Sequence, residues 1–200
     1  MCEAFGILGA MSPSASVLPA WAVRLAAELD AADESSKKLV TGLSPAQLNW
    51  QSSPGVWSIG QCLEHLCFTN EVYVPAISSS LEGKPVSPVQ EITPGWFGRW
   101  FLRTYIEPSP QTKRARAPKK VVPGARVEPS VLDRFLRANQ TARELIREAC
   151  DYDVNRIRFR NPFISLIRFT VGTGLDIVCK HERRHLLQAD RVRRAAGFPE

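Results

Sequence analysis

The chain has few of the residues that build covalent frameworks and none of the long apolar runs that cross membranes. Its five cysteines (Cys2, Cys62, Cys67, Cys150, Cys179) are odd in number and form no Cys-x-x-Cys pair, which excludes a disulfide scaffold. No apolar run approaches the roughly 20 residues of a spanning helix, and no membrane partner is expected. Met1–Ala10 carries no basic residue before its short apolar run, unlike a secretory signal. Reduced cysteines and the missing signal point to the cytoplasm. Met11 is a second candidate start. Residues 1–13 are expected to be a flexible segment ahead of a single domain over 14–200. Acidic residues are scarce in one stretch. Between Arg103 and Glu128, seven basic residues (Arg103, Lys113, Arg114, Arg116, Lys119, Lys120, Arg126) meet two acids (Glu107, Glu128), which supplies +5 of the formal net charge of +6. With 44% hydrophobic and 23% charged residues in 200, disorder and collagen-like structure are excluded and a sizeable core is available.

Four segments carry helical periodicity. In the first, Ser14 to Leu43, Leu18, Trp21, Leu25, Leu29, Ala32, Leu39 and Leu43 recur at mostly three- and four-residue steps. A short piece from Pro45 to Trp50 follows. The second helix opens at Ser58, whose capping box with Gln61 is written in the spacing, and Trp57 before it is placed to staple onto Cys62. It should run to about Leu81. The Pro- and Gly-rich stretch from Gly83 to Glu128 predicts a short helix near Trp96–Tyr105 and then an irregular basic loop. The third helix opens at Pro129-Ser130 with Asp133 in its first turn. After an irregular connector from Asp151 to Thr170, the fourth helix starts near Thr173 and stops at Gly197-Phe198-Pro199. With no strand series, the fold expected is all-α: a four-helix bundle with a long irregular insertion between helices two and three.

The three histidines are His65, His181 and His185. The last two are spaced i, i+4 and share one helix face. Two imidazoles so placed can converge on one cation, and His65 supplies a third nitrogen if helices two and four are neighbours. Three protein ligands leave one position open, the arrangement of a catalytic zinc site; nickel and iron also suit imidazole. His181-Glu182-Arg183-Arg184-His185 also spells the zinc-peptidase signature, in which Glu182 is the general base. Its context is absent: only 15 residues follow His185, without a histidine.

Two blocks, Leu48-Asn49-Trp50 with Pro54-Gly55-Val56-Trp57-Ser58-Ile59-Gly60-Gln61-Cys62-Leu63-Glu64-His65-Leu66, and His181 through Val192, resemble the DinB-like superfamily, including its YfiT-like metal-dependent hydrolases. The resemblance implies a four-helix bundle with a metal held by His65, His181 and His185. It also implies metal-dependent transferase or hydrolase chemistry on a small molecule, in some relatives with a low-molecular-weight thiol such as bacillithiol or mycothiol, and a homodimer. The insertion has no counterpart in it.

Other residues have two readings each. Glu64 and Glu182 lie about 100° round the helix from their histidine neighbours; each is an acid–base candidate or a solvated charge, the latter being commoner. Gln188 is placed to bond a metal-bound water or to cap backbone. Cys62 and Cys179 are expected to pack. The basic loop, beside Trp96 and Trp100, suggests nucleic-acid binding by a non-catalytic bundle, or entry of an anionic substrate. No nucleic-acid motif accompanies it, so a solvated loop and no nucleic-acid partner are expected.

Overall fold

The computed structural model describes residues 18–109 and 116–200. The expected flexible segment, the second start at Met11, Cys2 and the basic residues Lys113 and Arg114 lie outside the described residues. Four long helices form the bundle: α1 (Ala20–Val40), α3 (Ile59–Ser78), α5 (Val131–Ala149) and α6 (Val171–Arg193). The short helix α2 (Pro45–Asn49) follows α1, and α4 (Trp96–Phe101) lies in the insertion. A strand pair, β1 (Arg158–Arg160) and β2 (Arg168–Thr170), precedes α6.

The helix boundaries follow local chemistry. Ser58 accepts from the Gln61 N–H at 3.1 Å while the Gln61 side chain accepts from the Ser58 N–H at 3.0 Å, so the expected capping box is formed. α6 starts two residues earlier than expected because the Thr170 hydroxyl caps it, accepting from the Thr173 N–H at 3.2 Å. α3 ends at Ser78 rather than near Leu81, and the chain turns through Gly83 at a φ of 66°.

Two regions differ from expectation. The connector before α6 holds an antiparallel hairpin, with Phe159 opposite Phe169 facing inward and Arg158, Arg160 and Arg168 facing out. Strands of three residues are too short to stand out as a period-two pattern. The insertion is structured where it is described: α4 continues into a π turn (Leu102–Ile106), and a 3-10 turn at Lys119–Val121 lies against the bundle, with Val121 buried. Its backbone is tied to α2 and α3. The Val127 N–H donates to Asn49 at 2.7 Å, the Gly124 N–H to Glu64 at 2.7 Å, and the Gln61 amide to the Gly124 carbonyl at 2.8 Å. Arg116, Lys119, Lys120 and Arg126 are exposed, as expected of a solvated stretch, while these hydrogen bonds, which leave no trace in side-chain composition, fix its backbone to the bundle.

The core falls into two regions. One, around Trp21, Leu25, Ile77, Leu81 and Leu175, extends under the hairpin; the other, around Leu39, Leu48, Leu63 and Phe135, lies beneath α2 and the end of α6. Between them a chain of polar side chains crosses the bundle. Asn70 of α3 and Asn139 of α5 donate to the fully buried Glu182 of α6 at 2.7 and 3.2 Å. Asn139 also donates to Asp33 of α1 at 2.7 Å, and Arg143 pairs with Asp33 at 2.6 Å.

Candidate metal centre

α3 and α6 pack side by side, and this contact brings residues 65, 181 and 185 together. The imidazole Nε2 of His181 stands 3.4 Å from that of His65 and 3.1 Å from that of His185. Two nitrogens each about 2.05 Å from a zinc ion, at the tetrahedral angle, would stand roughly 3.3 Å apart. Both spacings around His181 fit such a site, and ring nitrogens of all three histidines lie within 4.8 Å of one another.

The His65 tautomer suits ligation. Nδ1 of His65 lies 2.7 Å from the Val121 carbonyl oxygen. A carbonyl can only accept, so Nδ1 carries the proton and Nε2 presents its lone pair. The insertion thus supplies the group that orients a histidine of α3. Burial pushes the pKa of His65, His181 and His185 below the ordinary imidazole range; the Arg184 charge, and for His181 and His185 the neighbouring imidazoles, push the same way. All three are neutral at pH 7, the state a metal requires. Three neutral imidazoles with nitrogens this close are the donor set a divalent metal takes, and His65 presents its Nε2 lone pair toward the other two. The Trp57 ring, expected to staple onto Cys62, lies against the site, with centroids 4.8 Å from His65 and 5.8 Å from His185.

The three histidines stand in the wall of a cavity of about 1040 Å³. Its other walls are largely aromatic and aliphatic: Tyr73, Phe97, Phe101 and Tyr105, with Phe163 and Ile167 from the hairpin loop. Arg116, Arg184 and Arg191 add positive charge. Two contacts fasten the far wall to α6: Lys180 pairs with Glu107 at 2.7 Å, and Arg184 donates to the Tyr105 carbonyl. The first of these wall residues, Glu107, directly follows a π turn and the second, Tyr105, lies within it, a feature frequent at functional sites.

The acid–base candidates separate. Gln188 lines the cavity beside His185. Glu182 does not: it is wholly buried on the other side of α6, with both carboxylate oxygens engaged by Asn70 and Asn139. The expectation that it is a solvated charge is corrected, and its placement does not suit the general base of a zinc peptidase. Glu64 pins the insertion through Gly124. Cys62 and Cys179 are buried, and burial pushes the Cys62 thiol up to about 12, so both pack. Sequence reasoning missed the Val121 carbonyl and the hairpin wall; the aromatic cluster at Trp96–Phe101 was the one available signal for the cavity.

YfiT from Bacillus subtilis, described as a probable metal-dependent hydrolase with an unusual four-helix bundle topology, is structurally similar to this chain. The TM-score is 0.59 over 94% of each chain, at 15% identity. No curated protein matches the sequence. The family model of the DinB superfamily matches residues 28–189, most of the chain and all three histidines. The chain belongs to the DinB superfamily.

Proposed function

We propose that this protein is a metal-dependent hydrolase or transferase acting on a small molecule, with one divalent cation, zinc by preference, held by Nε2 of His65, His181 and His185. The convergence of ring nitrogens from all three histidines within 4.8 Å of one another, with His181 Nε2 at 3.4 and 3.1 Å from its two neighbours, in a cavity wall carries the proposal. Held by these three nitrogens, a divalent cation would supply Lewis acidity to a water or thiol nucleophile in the cavity.

The chain's own residues do the rest. Val121 and Trp57 hold the rings in orientation. The aromatic walls exclude water and bind the apolar body of the substrate. Arg116, Arg184 and Arg191 favour an anionic group on it. The cavity lies at the upper end of the usual range for small-molecule sites, which suits a substrate together with a low-molecular-weight thiol as nucleophile. YfiT's description as a probable metal-dependent hydrolase supports water as the alternative nucleophile.

Elemental analysis of protein purified without a histidine tag tests this. About one equivalent of metal per chain is expected, with losses of at least tenfold in His65→Ala and His185→Ala. Retention of metal by both variants would overturn the assignment. Turnover assays on loaded protein, with and without added thiol, then separate transferase from hydrolase.

A further inference from the structure

Beyond the metal centre, one surface carries features that the bundle does not need. The loop joining β1 to β2 presents Ile164 and Leu166 to solvent at 48% and 95% exposure. The α4 segment adds Trp96 and Trp100 at 76% and 47%. Trp96, Arg99, Trp100 and Arg103 follow i, i+3, i+4, i+7 spacing and are all exposed, so they share an outer face. The two parts are joined: Phe97 and Phe101 pack on Phe169, with centroids 5.8 and 4.8 Å apart. Both also border the cavity, which Trp100 and Ile164 line together.

The two segments carry charge of one sign, α4 on its outer face and the hairpin on the face turned away from Phe169. Residues 95–103 and 158–169 contain five arginines (Arg99, Arg103, Arg158, Arg160, Arg168) and no acid. Arg160 and Arg168 are directly opposite each other across the hairpin. Like charges in that position are destabilising, and no carboxylate pairs with either among the described residues. An arrangement that costs the fold stability is explained if an anionic surface sits against it.

We propose that the hairpin loop and the outer face of α4 form a docking surface for an anionic phospholipid bilayer. The aliphatic tip enters the acyl boundary. The two tryptophans lie at headgroup level, and the arginines reach the phosphates with their stems along the apolar surface. Nucleic acid offers the same phosphates but rewards aromatic stacking, for which Ile164 and Leu166 are useless. The expectation of no membrane partner rested on the absence of a spanning run, and a peripheral contact needs none. The cavity mouth would then open beside the membrane, where an amphiphilic anion could enter.

Sedimentation of the full-length protein with vesicles tests the proposal. Binding to phosphatidylcholine containing phosphatidylglycerol is expected, with little to phosphatidylcholine alone and a decrease at high salt. Leu166→Ser should weaken partitioning about tenfold. Arg160→Glu should weaken it about fivefold or more while raising the thermal midpoint, because an ion pair with Arg168 replaces a repulsion. That opposed pair of effects is foreign to a merely structural role. Unchanged thermal midpoints in Leu166→Ser would show the fold intact, and unchanged metal content in both variants would separate this result from the metal assignment. The proposal is overturned by failure to bind anionic vesicles, by binding insensitive to Leu166→Ser, or by tight binding of a single-stranded oligonucleotide that needs the arginines and not Leu166.

Discussion

His181 and Glu182 are consecutive residues in opposite environments, because one step along an α-helix is about 100° of rotation. The imidazole reaches the cavity wall; the carboxylate enters the centre of the bundle, where burial pushes its pKa from 4.5 up to about 8. Between those values the folded chain holds a proton that the unfolded chain releases, so stability falls as pH rises through the interval. The depressed imidazoles act the other way. Below their ordinary value of 6.5 the unfolded chain binds protons first, and stability falls as pH drops. Chelator-treated protein should therefore lose stability on both sides of a maximum. Glu182→Gln should flatten the alkaline limb up to about pH 8 and leave the acid limb in place, as read from urea midpoints across a pH series. The same variant should keep its metal. A persistent alkaline limb would mean that another group is its source.

At the scale of elements, glycine sets how closely the hairpin approaches α6. A Cβ on Gly174 would lie 2.5 Å from Phe159 Cε1 and 2.9 Å from Ile77 Cδ1, inside contact distance of two buried side chains. Gly174→Ala should cost about 1–3 kcal/mol in denaturant unfolding. Gly95→Ala, at the N-cap of α4 with open space around it and a φ of −60° that alanine adopts, should cost less, at most about 1 kcal/mol from the poorer cap. A neutral Gly174→Ala would mean that the hairpin can back away from the helix. These elements also show what the sequence could reveal. The Ser58–Gln61 box, the stripe on α1 and the i, i+4 histidines were legible because each is a spacing of side chains within one helix. The hairpin and the Val121 carbonyl were not, since a three-residue strand has almost no period and a backbone acceptor looks the same at every residue. Glu182 was misplaced for a related reason. Spacing gives its angle relative to His181, but which side of α6 meets the other three helices is decided by all four together.

For the whole molecule, two polar groupings that tie distant parts of the chain lie on opposite sides of α6. On one side the Glu182–Asn70–Asn139–Asp33–Arg143 chain touches all four bundle helices. On the other, His65 of α3 faces His181 and His185 of α6, more than a hundred residues later. A cation there would act as a cross-link present only in the folded state, since the unfolded chain holds residue 65 far from the HxxxH pair. At a free zinc concentration about 100 times the dissociation constant, this linkage adds about 2.7 kcal/mol. For a chain of this length that corresponds to a rise of about 5–10 °C in Tm. The rise should reverse with a chelator and be absent in His65→Ala, whose own Tm should not respond to zinc. A zinc-dependent shift of equal size in His65→Ala would place the bound cation elsewhere and leave α3 outside the metal site.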